Sequence, residues 1–277
     1  EGLPIVITLI LATGVWRMSK RNALIKKLQA VEALGQARVI AVDKTGTITK
    51  NELVIREVWT EGKVFTVGGV GYALKGSVEY AGSIVDAANH PELLLAGKMA
   101  SLCASARLSY IETEDRWRVA GDPTEAAMLV FGEKVGFHRD DLLRETPPLG
   151  EIPFDYRRKY HATGFTHEKR QLIVVEGAPE VVLSLCTHIQ RGGETHALTA
   201  KEREMLETVV HAMSERGLRV IAGAMRERSV AELSPESVKG LTFVSFFGMQ
   251  DVLRPEVPEA MRRAVAAGIR VVMITGD

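Results

Sequence analysis

The chain has 277 residues with 35 basic and 35 acidic side chains, so its formal net charge is zero. A balanced charge gives no electrostatic reason to expect a nucleic acid partner. The two cysteines, Cys103 and Cys186, are far apart and lack a metal-ligand spacing, so we expect two buried thiols in a reducing compartment rather than a disulfide or zinc site. The length suits one large domain or two ordinary ones.

The chain begins with an uncharged run from Leu3 to Trp16, whose 14 residues fall short of the roughly 20 that span a bilayer as a helix. Basic residues follow at 17–27, as on the cytoplasmic flank of a membrane helix, without a signal-peptide cleavage site. We therefore predict that residues 1–20 are the C-terminal half of a transmembrane helix. Glu1 would then lie near mid-membrane, where a carboxylate typically serves an ion; the alternative is a solvated glutamate beside a buried helix.

An amphipathic helix ended by Gly35 is predicted by apolar residues at helical spacing: Ala23, Leu24, Leu28, Val31 and Leu34. The apolar run 38–42 predicts a short buried strand. Asp43 stands at its C-terminal end, which is the edge where open α/β sheets bind ligands.

Two local patterns in the middle of the chain predict their own structure. Glu61-Gly62 lies between strand-like segments and predicts a hairpin. Asp122 followed by Pro123 predicts the start of a helix, with Asp122 as N-cap and Glu125 three residues later as in a capping box.

The C-terminal part contains a predicted helix at 255–268 and a predicted buried strand at 269–274, which Thr275 follows. The strand that ends at Asp43 and the strand that precedes Thr275 could lie parallel in one sheet. Their C-terminal ends would then be at the same edge. The roughly two hundred residues between them would then form an insertion large enough to be a domain.

The stretch after the first strand suggests phosphoryl transfer. A carboxylate at a strand end can attack the γ-phosphorus of ATP and become an acyl phosphate. The following Lys44, Thr45, Gly46 and Thr47 offer the cation, hydroxyl groups and backbone amides that such a transfer needs. An ordinary strand that gives way to a solvated turn has a similar pattern.

Several motifs occur together in a fixed order: EGLP at 1–4, DKTGT at 43–47, GDPTEAA at 121–127, PFDYRRK at 153–159, EGAPE at 176–180 and TGD at 275–277. Throughout its length the chain resembles P-type cation-transporting ATPases, and EGLP and VEALG favour the calcium-pump-like branch. The resemblance implies an α/β fold: a partial haloacid dehalogenase-like Rossmannoid phosphorylation domain with a large inserted α+β nucleotide-binding domain, preceded by part of a transmembrane helix and a stalk. The implied boundaries are 1–20 for the membrane helix, 21–51 for the stalk and first part of the phosphorylation domain, 52–249 for the nucleotide-binding domain and 250–277 for the start of the second part.

The resemblance also implies roles for residues. Asp43 would be phosphorylated, and its carboxylate and the Thr45 carbonyl would bind Mg²⁺. Contacts to ATP or phosphate are implied for Lys44, Thr45, Glu125, Phe154, Lys159, Arg219, Thr275, Gly276 and Asp277. Glu1 would be a ligand of the transported cation, with Ca²⁺ or a related ion expected.

The implied protein is a multi-pass membrane pump driven by ATP, with this segment mostly cytoplasmic. We expect the chain to be a piece of a longer protein that hydrolyses little ATP by itself, because further groups for Mg²⁺ and phosphate would lie beyond Asp277. Two alternatives stay open: a soluble haloacid dehalogenase-type phosphatase or phosphotransferase, and a non-catalytic nucleotide-binding regulator.

Other interpretations of single residues are also open. Glu125 could serve only to cap a helix, Phe154 could be a core residue, and Lys159 could belong to a solvated basic face. Glu176 stands where the family usually has lysine. The methionine that is usual after the Arg-Lys pair is absent, with Tyr160 and His161 in that region. At a solvated site Glu176 should repel ATP or face away, so Glu176→Lys is expected to tighten ATP binding.

Overall fold

A computed structural model describes residues 2–114, 116–167, 169–229 and 232–275. The predictions for Glu1, Gly276 and Asp277 lie outside these ranges. In chain order the described α-helices are α1 (Leu3–Ser19), α2 (Ala30–Gly35), α3 (Pro91–Cys103), α4 (Pro123–Lys134), α5 (Arg139–Glu145), α6 (Pro179–Leu185), α7 (Ala200–Glu215) and α8 (Val257–Ala266).

The described strands are β1 (Val39–Asp43), β2 (Thr49–Thr60), β3 (Lys63–Val67), β4 (Val78–Tyr80), β5 (Ser83–Val85), β6 (Arg107–Ile111), β7 (Arg116–Ala120), β8 (Pro148–Ile152), β9 (Tyr160–His167), β10 (Arg170–Gly177), β11 (Cys186–Arg191), β12 (Glu194–Ala197), β13 (Arg219–Arg228), β14 (Leu241–Leu253) and β15 (Arg270–Ile274). The chain divides into two compact units. Unit 1 contains the described residues up to Lys50 and from Leu253 onward, and unit 2 is Asn51–Val252.

In unit 1, β1 and β15 lie parallel, with Asp43 opposite Ile274. The predicted parallel pairing of these strands is therefore confirmed. The prediction that these two strands are buried is wrong, because Val39 on β1 is 56% exposed and Met273 on β15 is 55% exposed. Within the described ranges the two strands pair only with each other, so no further strand extends the sheet that they form.

The N-terminal helical prediction is partly wrong. The helix expected from Ala23 to Gly35 is present only as α2, from Ala30. Leu24 is 81% exposed and Leu34 51% exposed, so the apolar stripe gains little burial energy, and a short helix without packing is marginal. Among the described residues, none of the helices combines the length and the apolar character needed to cross a membrane.

Unit 2 is built on a large mixed sheet. In the described part of the chain, eleven strands join it in the order β5-β4-β3-β2-β14-β13-β10-β9-β8, with β11 beside β14 and β12 beside β11. The predicted hairpin is confirmed: Thr60 pairs with Lys63 across a two-residue loop. Both loop residues have positive φ, 47° at Glu61 and 81° at Gly62, as a tight I′ turn requires.

Both faces of this sheet are covered. Val174 packs in a cluster with residues of α3 and α4, whereas its neighbour Val175 packs in another cluster with residues of α6 and α7. Successive side chains of a strand point to opposite faces, so the two helix pairs cover opposite sides. The expected burial of Cys103 and Cys186 is confirmed, and both thiols are free.

Candidate functional site

The loop that follows β1 has a conformation that its sequence explains. Asp43 is exposed at the end of the strand, and the chain then turns through Gly46, whose φ of 77° favours glycine. The Thr49 hydroxyl closes the turn, because it donates to the Lys44 carbonyl at 3.1 Å and accepts from the Gly46 N–H at 3.2 Å. The loop thus presents the Asp43 carboxylate next to a backbone with fixed geometry.

Arg254 holds the far side of this loop. Its backbone N–H donates to the Ile48 carbonyl at 3.0 Å. Its Nε donates to the Thr49 carbonyl at 3.1 Å, and Nη2 donates to the Gly46 carbonyl at 2.9 Å. Nothing in the sequence predicted these contacts of Arg254, because its partners at 46–49 lie about two hundred residues earlier in the chain.

The register of β1 and β15 brings two of the predicted site residues to one sheet edge. Asp43 lies opposite Ile274, and Thr275 follows Ile274 directly. Lys44 and Thr45 continue from the neighbouring strand end. The remaining phosphate residues predicted from the TGD motif, Gly276 and Asp277, are outside the described ranges.

Unit 2 contains a cavity of about 250 Å³. Its lining combines acidic, aromatic and basic side chains with the end of β10: Asp122, Thr124, Glu125, Phe154, Tyr156, His161, Glu176, Gly177, Arg219 and Ile221. Three of the side chains predicted to contact ATP therefore lie around one cavity, namely Glu125, Phe154 and Arg219. A concave site with an aromatic ring and a few polar groups is typical of small-molecule binding.

Lys159 is placed differently. It does not belong to the cavity lining, and its Nζ donates to the Glu180 carboxylate at 3.1 Å. Both side chains are more than half exposed, so the pair adds little stability. Lys159 has a φ of 55°, which turns the chain between the loop at 153–158 and β9.

The helix start at 122–125 is only partly as predicted. Asp122 is the N-cap of α4, and its carboxylate accepts from the Thr124 N–H at 2.7 Å, so the predicted cap is confirmed. Glu125 does not complete the predicted capping box. Its Oε2 accepts from the backbone N–H of Ser105 at 3.0 Å and from the Ser105 hydroxyl at 2.5 Å, which fixes the carboxylate beside the cavity.

Phe154 is not a core residue. Its ring is 50% exposed and lies edge-on to Tyr156, with 5.5 Å between the ring centroids. An aromatic ring that is half exposed at a cavity can stack on a planar ligand. The interpretation of Phe154 as simple core is therefore wrong.

Glu176 and His161 form a buried polar pair at the cavity. They are directly opposite on β10 and β9, and their side chains are only 7% and 4% exposed. His161 Nδ1 is 3.6 Å from Glu176 Oε1, and His161 Nε2 is 3.0 Å from Glu151 Oε1. The assumption of a solvated Glu176 is therefore wrong, because the sheet register places it on the face that α3 and α4 cover.

Burial and charge act against each other in this pair. Burial raises the pKa of Glu176, and His161 offsets part of that increase. Burial would lower the pKa of His161, but Glu176 and Glu151 outweigh it, so the pKa of His161 is raised above its ordinary value. Each group thus favours the charged form of the other.

Gly177 allows the end of β10 to lie close to the start of β9. A Cβ at this position would lie 2.7 Å from the Cα of Tyr160, which is too close for any residue except glycine. The glycine of EGAPE therefore lets β10 approach the start of β9. The positions of Tyr156, His161 and Ile221 at the cavity were not predicted, and of these only His161 had a signal in the sequence, the departure from the family pattern after the Arg-Lys pair.

Comparisons with known proteins identify the family of the chain. Residues 94–256, more than half of the chain, match the family described as P-type ATPase, cytoplasmic domain N. The chain belongs to the P-type ATPase family. The large sheet with helices on both faces fits the nucleotide-binding domain of P-type ATPases, whereas the haloacid dehalogenase-like fold of the remaining part stays a prediction.

Several known P-type ATPases are similar to this chain over its whole length. It is 34% identical over 280 residues to the calcium-transporting ATPase of Bacillus subtilis (strain 168), of which it covers 31%. It is 39% identical over 288 residues to the cation-transporting ATPase pma1 of Synechocystis, of which it covers 31%. It is 35% identical over 282 residues to the calcium-transporting ATPase type 2C member 1 of Homo sapiens, of which it covers 29%.

The chain thus spans about a third or less of the length of these curated relatives. Two of the three are named as calcium-transporting ATPases. The resemblance to the calcium-pump-like branch of P-type ATPases is confirmed.

Proposed function

We propose that this chain is part of an ATP-driven cation pump that is phosphorylated on Asp43. The observation that carries the proposal is the β1–β15 register, which sets Asp43 opposite Ile274 and so brings DKTGT and Thr275 to one sheet edge. The names of the relatives favour Ca²⁺ or a related cation. The proposal includes a multi-pass membrane location, with Glu1 as a ligand of the cation and most of this segment in the cytoplasm.

The proposed chemistry begins at the exposed Asp43 carboxylate. One of its oxygens attacks the γ-phosphorus of ATP, a bond forms between that oxygen and phosphorus, and the bond to the leaving ADP oxygen breaks. Lys44, the Thr45 hydroxyl and Thr275 would contact the transferred phosphate, as would Gly276 and Asp277. Arg254 keeps the loop in place through its contacts to the Gly46 and Thr49 carbonyls.

The donor groups of this loop fit Mg²⁺. The Asp43 carboxylate and the Thr45 backbone carbonyl offer the hard oxygen ligands that Mg²⁺ prefers. When bound, Mg²⁺ would neutralise phosphate charge during the transfer. Within the described residues, no group of three or more His, Cys, Asp or Glu side chains could hold a metal ion, so the remaining ligands would be water, phosphate oxygens or other residues.

The cavity in unit 2 is the proposed ATP site. Phe154 would stack on the base, and Arg219 would pair with a phosphate. Glu125, which Ser105 holds in position, would accept a hydrogen bond from the nucleotide. Lys159 would reach a phosphate only if it exchanges its contact with Glu180 for one with ATP.

The test is acyl-phosphate formation in a longer protein. This protein contains the chain and also the segments that correspond to the remaining length of the relatives. With γ-labelled ATP, we expect an acid-stable, hydroxylamine-labile label that disappears in Asp43→Asn, since an amide cannot act as the carboxylate nucleophile. Asp141→Asn, which changes an exposed carboxylate of α5, should keep the label. A label that survives Asp43→Asn would place the chemistry elsewhere.

A further inference from the structure

Three basic side chains lie together at the C-terminal end of α1. An open groove of about 560 Å³ is found there. Its lining consists of one aromatic side chain, one methionine and the three cations: Trp16, Met18, Arg17, Lys20 and Arg21. The chain turns directly after them, because Asn22 has a φ of 60° and the Ala23 N–H donates to the Met18 carbonyl at 3.0 Å. The turn keeps the cations at one end of the helix.

Among the described residues, no carboxylate neutralises these cations. Arg17, Lys20 and Arg21 form no ion pair there, and the first acidic residue after them, Glu32 on α2, does not pair with them either. The C-terminal end of a helix carries roughly half a negative charge, which offsets only part of three positive charges. The groove therefore favours an anionic occupant.

The rest of α1 indicates which anion fits. No described residue of α1 is buried, and its apolar side chains are open to the surroundings, with Leu9 62% and Ile10 65% exposed. Trp16 is 60% exposed at the end of this apolar stretch. Tryptophan and basic residues that follow an apolar helix are typical of the boundary between acyl chains and headgroups. An anion at that depth is the phosphate of a lipid.

The direction of the side chains brings the cations to this boundary. The Cα–Cβ bonds of a helix tilt towards its N-terminus, so long basic side chains at its end can extend back to the headgroups. Lys20 does so, since its Nζ lies 5.6 Å from the centre of the Trp16 ring, one turn earlier. The aromatic ring and the ammonium group thus lie at a similar level along the helix.

We infer that Arg17, Lys20 and Arg21 bind the phosphates of anionic lipids, and that this segment therefore prefers membranes with a negative surface. Guanidinium groups suit this role because they can donate two parallel hydrogen bonds to one phosphate. The inference rests on the proposed membrane location of α1 and adds a lipid class to it.

Vesicle flotation with the unaltered 277-residue chain tests the inference. It compares vesicles of phosphatidylcholine, which has no net charge, with vesicles that also contain the anionic phosphatidylglycerol. Each cation near an anionic surface strengthens binding about fivefold, so the chain should bind the anionic vesicles about a hundredfold more tightly. At about 1 M salt most of this difference should disappear, because the Debye length is then only about 3 Å.

Variants identify the groups responsible. Arg17→Gln, Lys20→Gln and Arg21→Gln together should remove most of the preference for anionic vesicles. The same variant should bind phosphatidylcholine vesicles as the unaltered chain does, because the apolar part of α1 is unchanged. Arg17→Lys with Arg21→Lys retains the charges and should retain most of the preference.

A matched control removes three positive charges elsewhere. Lys201→Gln, Arg262→Gln and Arg263→Gln together change exposed side chains of α7 and α8. This variant loses the same net charge as the triple variant at the end of α1. It should nevertheless keep the preference for anionic vesicles, and an equal loss in both variants would overturn the inference.

The outcomes separate the two proposals. If the unaltered chain floats with neither kind of vesicle, the proposed membrane location of α1 fails and the inference fails with it. Equal binding to both kinds of vesicle, or a full preference in the triple variant at the end of α1, overturns the inference alone. Displacement from the vesicles by inorganic phosphate, but not by sodium chloride of equal ionic strength, would also overturn it, because the groove would then be a site for the free anion.

Discussion

At the residue scale, Glu176 shows how one change of environment reverses an expectation. Its identity was visible in the sequence, and a solvated glutamate would simply repel ATP. The pairing of β9 with β10 instead sets it opposite His161, and helices cover that face of the sheet. Burial depends on residues far away in the chain, so the sequence near EGAPE could not reveal it.

The revised prediction is therefore that Glu176→Lys lowers the stability of the fold and does not tighten ATP binding. A lysine here would place its ammonium beside His161 in a buried site and break the existing pair. We expect a decrease of about 3 kcal/mol in the free energy of unfolding and no gain in ATP affinity. Urea denaturation and calorimetric titration with ATP would measure the two effects.

A double variant is the matched control for this prediction. His161→Met removes the group that would oppose the new lysine, so the combination of His161→Met with Glu176→Lys should recover much of the lost stability. Tighter ATP binding by the single Glu176→Lys variant at full stability would contradict the buried-pair account.

At the element scale, a partly buried ion pair links β3 to the first turn of α3. Lys63 Nζ is 2.6 Å from Glu92 Oε1, and His90 Nδ1 is 3.3 Å from the same oxygen. Burial would raise the pKa of Glu92, but hydrogen bonds from Lys63, from its own backbone and from His90 outweigh burial and lower it. A lowered pKa in the folded state stabilises the fold above the unfolded value of 4.5, and this stability is lost as pH falls through the folded pKa.

The corresponding prediction concerns Glu92→Gln. The variant should have a lower melting temperature than the unaltered chain at about pH 7, and the difference should shrink as pH falls below 4.5 and Glu92 becomes protonated. Thermal unfolding followed by circular dichroism would measure it. Glu204→Gln, at an exposed position of α7, should cause no such pH-dependent difference, and an equal effect in both variants would refute the role of the Lys63 pair.

The loop after β1 also belongs to the element scale, because Arg254 precedes α8 and yet holds residues 46–49. Arg254→Ala removes two side-chain hydrogen bonds, so the free energy of local opening should fall by about 1–3 kcal/mol. Amide hydrogen exchange at residues 44–49 would become correspondingly faster. Arg262→Ala on α8, which removes a largely exposed ion pair with Glu259, is the control and should leave that exchange unchanged.

At the scale of the whole molecule, unit 2 has the features of an independent domain. Its two ends meet, since the Glu52 N–H donates to the Asp251 carboxylate at 3.1 Å. Both hydrophobic clusters lie within Asn51–Val252, and so do all residues that line the proposed ATP cavity. A stable core and neighbouring termini are what an isolated domain needs.

We therefore predict that residues 51–252, produced alone, unfold in one cooperative transition and bind ATP within about twofold of the affinity of the 277-residue chain. Chemical denaturation and calorimetric titration would test this. Loss of ATP binding in a folded 51–252 domain would mean that unit 1 contributes to the nucleotide site.

The sequence by itself determined the features that depend on neighbouring residues or on whole motifs. The turn at Glu61-Gly62, the Asp122 cap and the family could be predicted because turn chemistry, capping and the DKTGT and TGD motifs are local in the chain. The tertiary structure decided what depends on distant partners. Only the packing of the sheet showed that Phe154 is exposed at a cavity, that Glu176 is buried against His161, and that Arg254 holds the loop at Gly46, because each of these contacts or exposures arises from segments that are far apart in the sequence.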